Sequence, residues 1–420
     1  MREPRFILIV VVVALLIDLY VFQGLKTITQ GSSPRWRTVI FSLHWGIAGL
    51  AILTFLVSPY LHLQNRHFTN YLTTILLGLY IAKLLAAVFL LVDDIRRLIQ
   101  WGLTRTATRP TPNTDTGTGA KTGTDASLSR SVFLSWLGVG VGSSVYGALL
   151  YGFSNKYNYK IKRIKLAFDN LPASFKGLKI VQISDIHSGS LANPAAVNKG
   201  VDMVLAERPD LILFTGDLVN NTAEEMKDYQ HIFSRLEAPM GVYSTLGNHD
   251  YGDYIWWETV ERKKANLDQL KAIEQAMGWR LLMNEHAVLE RGGSAIALIG
   301  IENWSAKARF PKYGRMDLAY PPAQKYPFKI LMSHDPSHWD AEIRPKYPDI
   351  DLMLSGHTHG MQFGVELPGF KWSPVQFIYK QWAGLYEQGK QKLYVNRGYG
   401  FIGYPGRFGI LPEITVIELT

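Results

Sequence analysis

Four apolar stretches, at about 6–25, 39–57, 71–92 and 134–152, are each close to the length that crosses a bilayer, and they narrow what residues 1–155 can fold into. Lipid offers the backbone no hydrogen-bond partner, so stretches of this kind span as helices. Residues 1–155 are therefore expected to form a four-helix transmembrane region, and 156–420 a separate domain. Arg2 and Arg5 ahead of an apolar core leave a cleaved signal sequence open for the first stretch. Asp18 interrupts that core and no small-residue cleavage motif follows, which favours an uncleaved anchor.

Three ionisable residues, Asp18, His44 and Lys83, fall inside these stretches. Charge within a bilayer is costly, so they mark either a transport or sensing role or a structural pair of Asp18 with Lys83 joining the first and third helices; the pair is favoured. Residues 104–130 are rich in Thr, Gly, Pro, Asp and Lys and are expected to be a flexible, solvated linker.

Orientation follows from the basic residues in the connections. With the N-terminus outside, the inner side carries Lys26, Arg35, Arg37, Arg96, Arg97, Arg105, Arg109, Lys121 and Arg130, and the outer side only Arg2, Arg5 and Arg66 before the large domain. That places the large domain outside the cytoplasm of a bacterial inner-membrane type of protein. Ser129-Arg130-Ser131-Val132-Phe133-Leu134 agrees, resembling a twin-arginine export signal with one arginine missing, whereas Lys156, Lys160, Lys162, Arg163 and Lys165 argue for the inside. The formal charge is +9, and much of the basic excess flanks the helices, where it suits anionic headgroups better than nucleic acid; no nucleic-acid module is evident. The chain has no cysteine, which excludes disulfides without indicating a compartment.

The chemistry lies in 156–420. Apolar, strand-like runs at 179–184, 211–215, 242–246, 330–333 and 352–355 are followed by Asp185-Ile186-His187, Gly216-Asp217, Gly247-Asn248-His249-Asp250, His334 and Gly356-His357-Thr358-His359. Five strands thus deliver five polar clusters to one sheet edge, where α/β sheets bind ligands, with glycines 216, 247 and 356 permitting sharp turns. Carboxylate oxygens with imidazole nitrogens suit Mn, Fe or Zn, and a shared carboxylate can hold two such ions about 3.5 to 4 Å apart. Any one block alone could be a satisfied turn; the ordered set of five is hard to read so. His338 and His286 lack such context and read as ordinary.

The order D-x-H, G-D, G-N-H-[DE], H, G-H-x-H resembles the calcineurin-like metallophosphoesterase superfamily over roughly residues 160–420, in a membrane-anchored form. The resemblance implies a four-layer α/β/β/α sandwich. It also implies two divalent metals, with Asp185, His187 and His359 on the first, Asp217 bridging, and Asn248, His334 and His357 on the second. His249 becomes the general acid, its ring oriented by Asp250, and a metal-activated hydroxide the nucleophile. One departure is visible: many relatives continue the second block as G-D-x-x-D, and here Asn220 ends it. Further strands are expected at 161–168, 295–301, 392–396 and 413–419, and helices at 194–207, 223–236 and 267–277.

Two segments bear on substrate. Residues 251–266 combine aromatic and basic side chains and are expected to form a lid. Residues 361–386 carry Phe363, Phe370, Trp372, Phe377, Tyr379, Trp382 and Tyr386 with Lys371 and Lys380, which fits either core packing or a bilayer interface. Together these features indicate hydrolysis of a phosphomonoester, phosphodiester or pyrophosphate bond in a lipid-linked or envelope substrate. Relatives that split the pyrophosphate of a UDP-diacylglucosamine fall within that class. The alternatives are a membrane receptor or sensor with a catalytically silent metal-binding domain, and a transporter coupled to hydrolysis.

Overall fold

The computed structural model describes residues 4–57, 66–107 and 130–420 and divides into two compact units, 1–150 and 151–420. In the first unit, helices α1 (Pro4–Ile28), α2 (Pro34–Val57), α3 (Arg66–Ala107) and α4 (Arg130–Gly152) are each long and apolar enough to cross a membrane. At 42 residues α3 is about 63 Å long, well beyond its expected 71–92. Charge does not end it, because Asp93, Asp94, Arg96 and Arg97 neutralise one another at three- and four-residue spacings along the helix. The expected linker at 104–130 begins inside α3, and its positions 108–129 lie outside the described residues, as do Arg2, Arg109 and Lys121.

The three ionisable residues expected inside the apolar stretches meet at Asp18. The buried Asp18 carboxylate forms an ion pair with Lys83 and accepts a hydrogen bond from Tyr80 Oη at 2.9 Å. His44 Nε2 lies 3.1 Å from the Asp18 carbonyl oxygen, so one residue of α1 engages both α2 and α3.

The second unit contains two six-stranded sheets. Strands β1 (Lys160–Leu166), β2 (Lys179–Ile183), β3 (Leu211–Phe214), β4 (Val242–Ser244), β5 (Trp279–Leu281) and β14 (Glu413–Leu419) pair in the order β1-β14-β2-β3-β4-β5. β14 is antiparallel to β2, and the remaining pairs of this sheet are parallel. Strands β6 (Glu285–Arg291), β7 (Ser294–Gly300), β8 (Lys329–Met332), β9 (Leu352–Ser355), β12 (Gly384–Gln388) and β13 (Gln391–Val395) pair in the order β12-β13-β9-β8-β7-β6, parallel in the middle and antiparallel at both edges. A short hairpin, β10 (Val365–Leu367) with β11 (Phe370–Trp372), stands apart.

Alternation along the strands sets the layers. Ile180, Leu211, Leu213 and Ile417 of the first sheet pack against Leu298, Ile330, Met332 and Leu354 of the second. The opposite side chains, Val181, Ile183, Ile212 and Phe214, pack on α5 (Pro194–Ala206), α6 (Gln230–Phe233) and α7 (Val260–Ala276) through Val197, Val201, Phe233 and Leu270. Beyond the second sheet, Ile299, Leu331 and Met353 meet Met316, Trp339 and Ile343 from short helical segments. The result is the four-layer α/β/β/α order, preceded by four apolar helices.

Two helix expectations need correction. The helix at 223–236 is only a 3-10 turn at 223–226 and one α-turn at 230–233. Glu225 accepts from the Asn220 amide and Asn266 from the Ala223 amide, so side chains take main-chain groups that flank or open a continuous helix. α7 starts at 260, not 267, because Thr259 caps it by accepting from the Arg262 amide at 3.2 Å.

Candidate metal centre

The first sheet's β2, β3 and β4 and the second sheet's β8 and β9 all end at one edge, and each hands its chain directly to a polar block. Five of those polar residues adopt positive φ: Asp185 at 53°, His187 at 49°, Asp217 at 62°, His357 at 70° and His359 at 50°. Non-glycine residues in this region cost about 1 kcal/mol or more each, and such strain clusters at functional sites. Main-chain bonds hold the turns: Asp185 N donates to Gly216 O at 2.9 Å, and His187 N to Asp217 O at 3.1 Å. Of the three block glycines only Gly216 has positive φ, at 96°; at Gly247 and Gly356 a side chain would collide with Asp217 and Asp185.

These turns bring six of the seven residues expected to hold metal into two groups. Asp185, His187 and His359 converge in one, and Asp217, His334 and His357 in the other. Within the first, His359 Nε2 is 3.2 Å from Asp185 Oδ1 and 3.0 Å from His187 Nε2. Asp217 Oδ2 reaches toward both groups, 3.0 Å from His334 Nε2 and 3.5 Å from His187 Nε2. Asn248 borders the same cleft.

The donors suit divalent cations. Asn248 Oδ1 and His357 Nδ1 are buried with no hydrogen-bond partner, and an orphaned buried polar atom costs on the order of 1–3 kcal/mol. Neighbours select the free nitrogens. His334 Nδ1 donates to Thr215 O at 2.7 Å, which turns Nε2 toward Asp217 Oδ2. Tyr379 Oη donates to Asp335 Oδ2 at 3.2 Å and receives His357 Nε2–H at 2.8 Å, leaving Nδ1 of His357 free. Such partners fix tautomers in metal sites. Burial holds His187, His357 and His359 below the usual imidazole range, in the neutral form that carries a lone pair. Burial also opposes protonation of His334, but the Asp217 carboxylate outweighs it and pushes His334 up to about 10, a proton that a cation in its place would displace.

His249 stands apart from the two groups, its ring 5.0 Å from that of His187 and 4.6 Å from that of Tyr254. Its Nδ1 donates to the carbonyl oxygen of Asn220 at 2.8 Å, not to Asp250 as expected. Asp250 is fully buried and works on the main chain instead: Oδ2 accepts from the amides of Asp217 at 2.9 Å and Gly247 at 2.8 Å, and Oδ1 from Leu218 at 2.8 Å and Val219 at 3.2 Å. It clamps the Asp217 turn to the Asn248 turn. Because position 220 serves through its carbonyl, the Asn that departs from the family pattern there costs the His249 contact nothing.

Several participants gave no local signal in the sequence. Tyr379 and Asp335 are described above. Arg407, fully buried, donates to Arg397 O at 2.7 Å and has Nη2 3.2 Å from His359 Nδ1. Arg309 and Phe310 come from the loop after β7, and the Phe310 ring lies edge-on 4.7 Å from His357. His338 bonds Ser333 at 3.0 Å and sits 3.5 Å from Glu342, away from the two groups.

The groups border a cleft of about 200 Å³ whose lining combines Asp217, Asn248, His249 and histidines 187, 357 and 359 with the apolar Met361, Val375, Ile378 and Ile402. Of the segment 251–266 expected as a lid, 260–266 belong to α7 and none lines this cleft. Trp257 Nε1 donates to Gly252 O at 2.7 Å, and Tyr313 Oη to Asp253 Oδ2 at 3.1 Å. Among the aromatics of 361–386, Tyr379 and Trp382 pack in a small core with Val375 and Ile410, whereas Phe370 and Phe377 face outward.

Residues 3–156 match the family model for the probable calcineurin-like phosphoesterase transmembrane domain, and 178–361 match that for calcineurin-like phosphoesterase. The chain is similar to the zebrafish (Danio rerio) transmembrane protein with metallophosphoesterase domain, at 30% identity over 62% of this chain and 57% of that protein. It is also similar to the uncharacterized metallophosphoesterase YkuE of Bacillus subtilis, at 31% identity over 59% of this chain and 81% of YkuE. A more distant relative, the UDP-2,3-diacylglucosamine pyrophosphatase LpxG of Chlamydia trachomatis, is 27% identical over 64% of this chain and 93% of that enzyme. The chain thus spans little more than half the length of the zebrafish protein.

Proposed function

The chain belongs to the calcineurin-like phosphoesterases in a membrane-anchored form, and on that footing we propose that it is a dinuclear metal-dependent hydrolase of an amphiphilic phosphoric ester. The observation that carries this reading is the pair of Asp/His groups with the Asp217 carboxylate extending toward both. Asp185, His187 and His359 would hold one divalent ion, Asn248, His334 and His357 the other, and Asp217 would join them. Mn, Fe and Zn all suit these donors. Bound there, such ions polarise phosphoryl oxygens and bring the pKa of a water near neutrality.

The protein's own residues supply the rest. Asp250 fixes the turns that aim Asp217 and Asn248. Tyr379 and Thr215 set the tautomers of His357 and His334. His249 keeps Nδ1–H on the Asn220 carbonyl, which leaves Nε2 to pass a proton to the leaving oxygen. The apolar lining residues Met361, Val375, Ile378 and Ile402 support a substrate with a hydrophobic portion. The likeness to LpxG supports a lipid-linked one. The excess of basic residues in the inner connections supports an outward-facing hydrolase domain.

The test uses detergent-purified protein with manganese on bis-p-nitrophenyl phosphate, a glycerophospholipid and a UDP-linked lipid. Metal-dependent turnover is expected, faster on an amphiphile than on its water-soluble headgroup, and reduced on the order of a hundredfold or more in His249→Ala with bound metal retained. Turnover at the native rate in His249→Ala would contradict the assigned proton donor, and no metal-dependent turnover on any of the three would contradict the hydrolase.

A further inference from the structure

The cleft carries one cationic side chain that the two-metal reading leaves unused. Arg309 lies on the loop that follows β7 and lines the cleft with Asp217, His249, His357 and His359. It has no carboxylate partner among the described residues; its guanidinium rests 4.6 Å from the ring of its neighbour Phe310. Its neighbour Phe310 locates it: the Phe310 ring stands edge-on 4.7 Å from the His357 ring, so Arg309 sits on the side of the second ligand group. Lys307, 5.3 Å from the Tyr379 ring, adds a second positive charge on the same loop.

A single phosphoryl group held by two divalent ions and faced by His249 has little negative charge left to recruit a guanidinium. A planar, permanently charged fork unpaired at the mouth of such a site suits an anion next to the one being cleaved. Building on the hydrolase proposed above, we infer that Arg309 reads a second phosphoryl group, so that the preferred substrate is a diphosphate diester with an apolar substituent. The step is a hydrolysis: the oxygen of water bonds to the phosphorus at the metal groups and the anhydride P–O bond breaks. Two phosphomonoesters leave, each keeping one of the two water protons. Arg309 neutralises the charge that develops on the departing phosphate.

The experiment compares wild type with Arg309→Gln in the full-length, detergent-purified, manganese-loaded protein. One arm follows hydrolysis of bis-p-nitrophenyl phosphate, which has one phosphoryl group, and of ADP-ribose, a diphosphate diester. The other follows calorimetric binding of imidodiphosphate and of orthophosphate. The expected result is a fall in kcat/KM of about tenfold or more on the diphosphate, weaker imidodiphosphate binding, and changes under about threefold for bis-p-nitrophenyl phosphate and orthophosphate, with bound metal unchanged. Equal losses on both substrates, no loss on either, or wild-type protein that cleaves bis-p-nitrophenyl phosphate and leaves ADP-ribose intact would each overturn the inference. Wild-type protein inert toward both substrates would instead remove the hydrolase itself, and the inference with it.

Discussion

At the scale of single residues, the division of labour follows from which atoms are left without partners. The residues proposed as ligands could be picked out because metal chemistry dictates their type: Asp, His and Asn next to a turn after an apolar strand form a pattern that survives one-dimensional reading. The residues that orient them were not, because Thr215 and Asn220 act through carbonyl oxygens, which any side chain can accompany, and Tyr379 and Arg407 arrive from distant sequence. Asp250 shows the limit from the other side. Adjacency to His249 suggested a ring contact, whereas the folded chain turns its carboxylate onto four amides.

Glu274 of α7 makes a residue-scale prediction outside the site. It is fully buried, its only hydrogen bond on one oxygen is with Ser244, and burial pushes its carboxyl up to about 8 from an ordinary value near 4.5. Between those values the folded chain binds more protons than the unfolded one, so stability falls as pH rises, by about 1.4 kcal/mol per pH unit. The loss is on the order of 3 kcal/mol at pH 7 and levels off above about pH 8. Glu274→Gln is expected to melt higher than wild type at pH 7 to 8 and with little difference near pH 4.5. A gap independent of pH across that range would show that Glu274 is not the titrating group.

At the scale of elements, strands were placed closely and helices less so. β14 occupies 413–419 as expected, because a short β-branched run has few alternatives. α7 was read seven residues short because Val260–Asn266 is mostly polar and carries no apolar stripe; its cap, Thr259, was the available signal. α3 was read short because Asp93, Asp94, Arg96 and Arg97 end its apolar run, whereas paired at three- and four-residue spacings they are compatible with a continuing helix. Packing between membrane-length helices gives an element-scale prediction. A Cβ at Gly142 of α4 would stand 2.5 Å from the Ala82 carbonyl oxygen of α3, whereas one at Gly147 meets nothing within 4 Å. Small residues at such approaches let helices touch. Gly142→Ala is expected to lose about 1–3 kcal/mol of stability in detergent, and Gly147→Ala to be neutral or gain up to about 1 kcal/mol from helix propensity. Equal melting temperatures for the two variants would refute the close α3–α4 contact.

At the scale of the whole molecule, the chain joins a four-helix membrane unit to a hydrolase-fold unit, with only 153–159 between α4 and β1. Composition divides the chain at 155/156, since bilayer-length apolar runs and alternating strands follow different periodicities, whereas the compact units part at 150/151. Which side of the membrane holds the hydrolase was less legible, because basic residues just after α4 oppose those in the inner connections. The absence of cysteine makes a single introduced thiol a clean reporter. Lys390→Cys, exposed on the turn between β12 and β13, is expected to react with a membrane-impermeant maleimide in intact spheroplasts. Labelling only after permeabilisation would place the domain in the cytoplasm.

The most direct measurement is metal content alongside turnover: inductively coupled plasma analysis of purified protein and of Asp217→Asn, each assayed on bis-p-nitrophenyl phosphate before and after chelation. About two metal equivalents per wild-type chain are expected, with activity abolished by chelation, restored by added manganese, and reduced at least about a hundredfold in Asp217→Asn together with lost metal. Full turnover by the metal-stripped protein, or one metal per chain with Asp217→Asn as active as wild type, would contradict a dinuclear centre joined at Asp217.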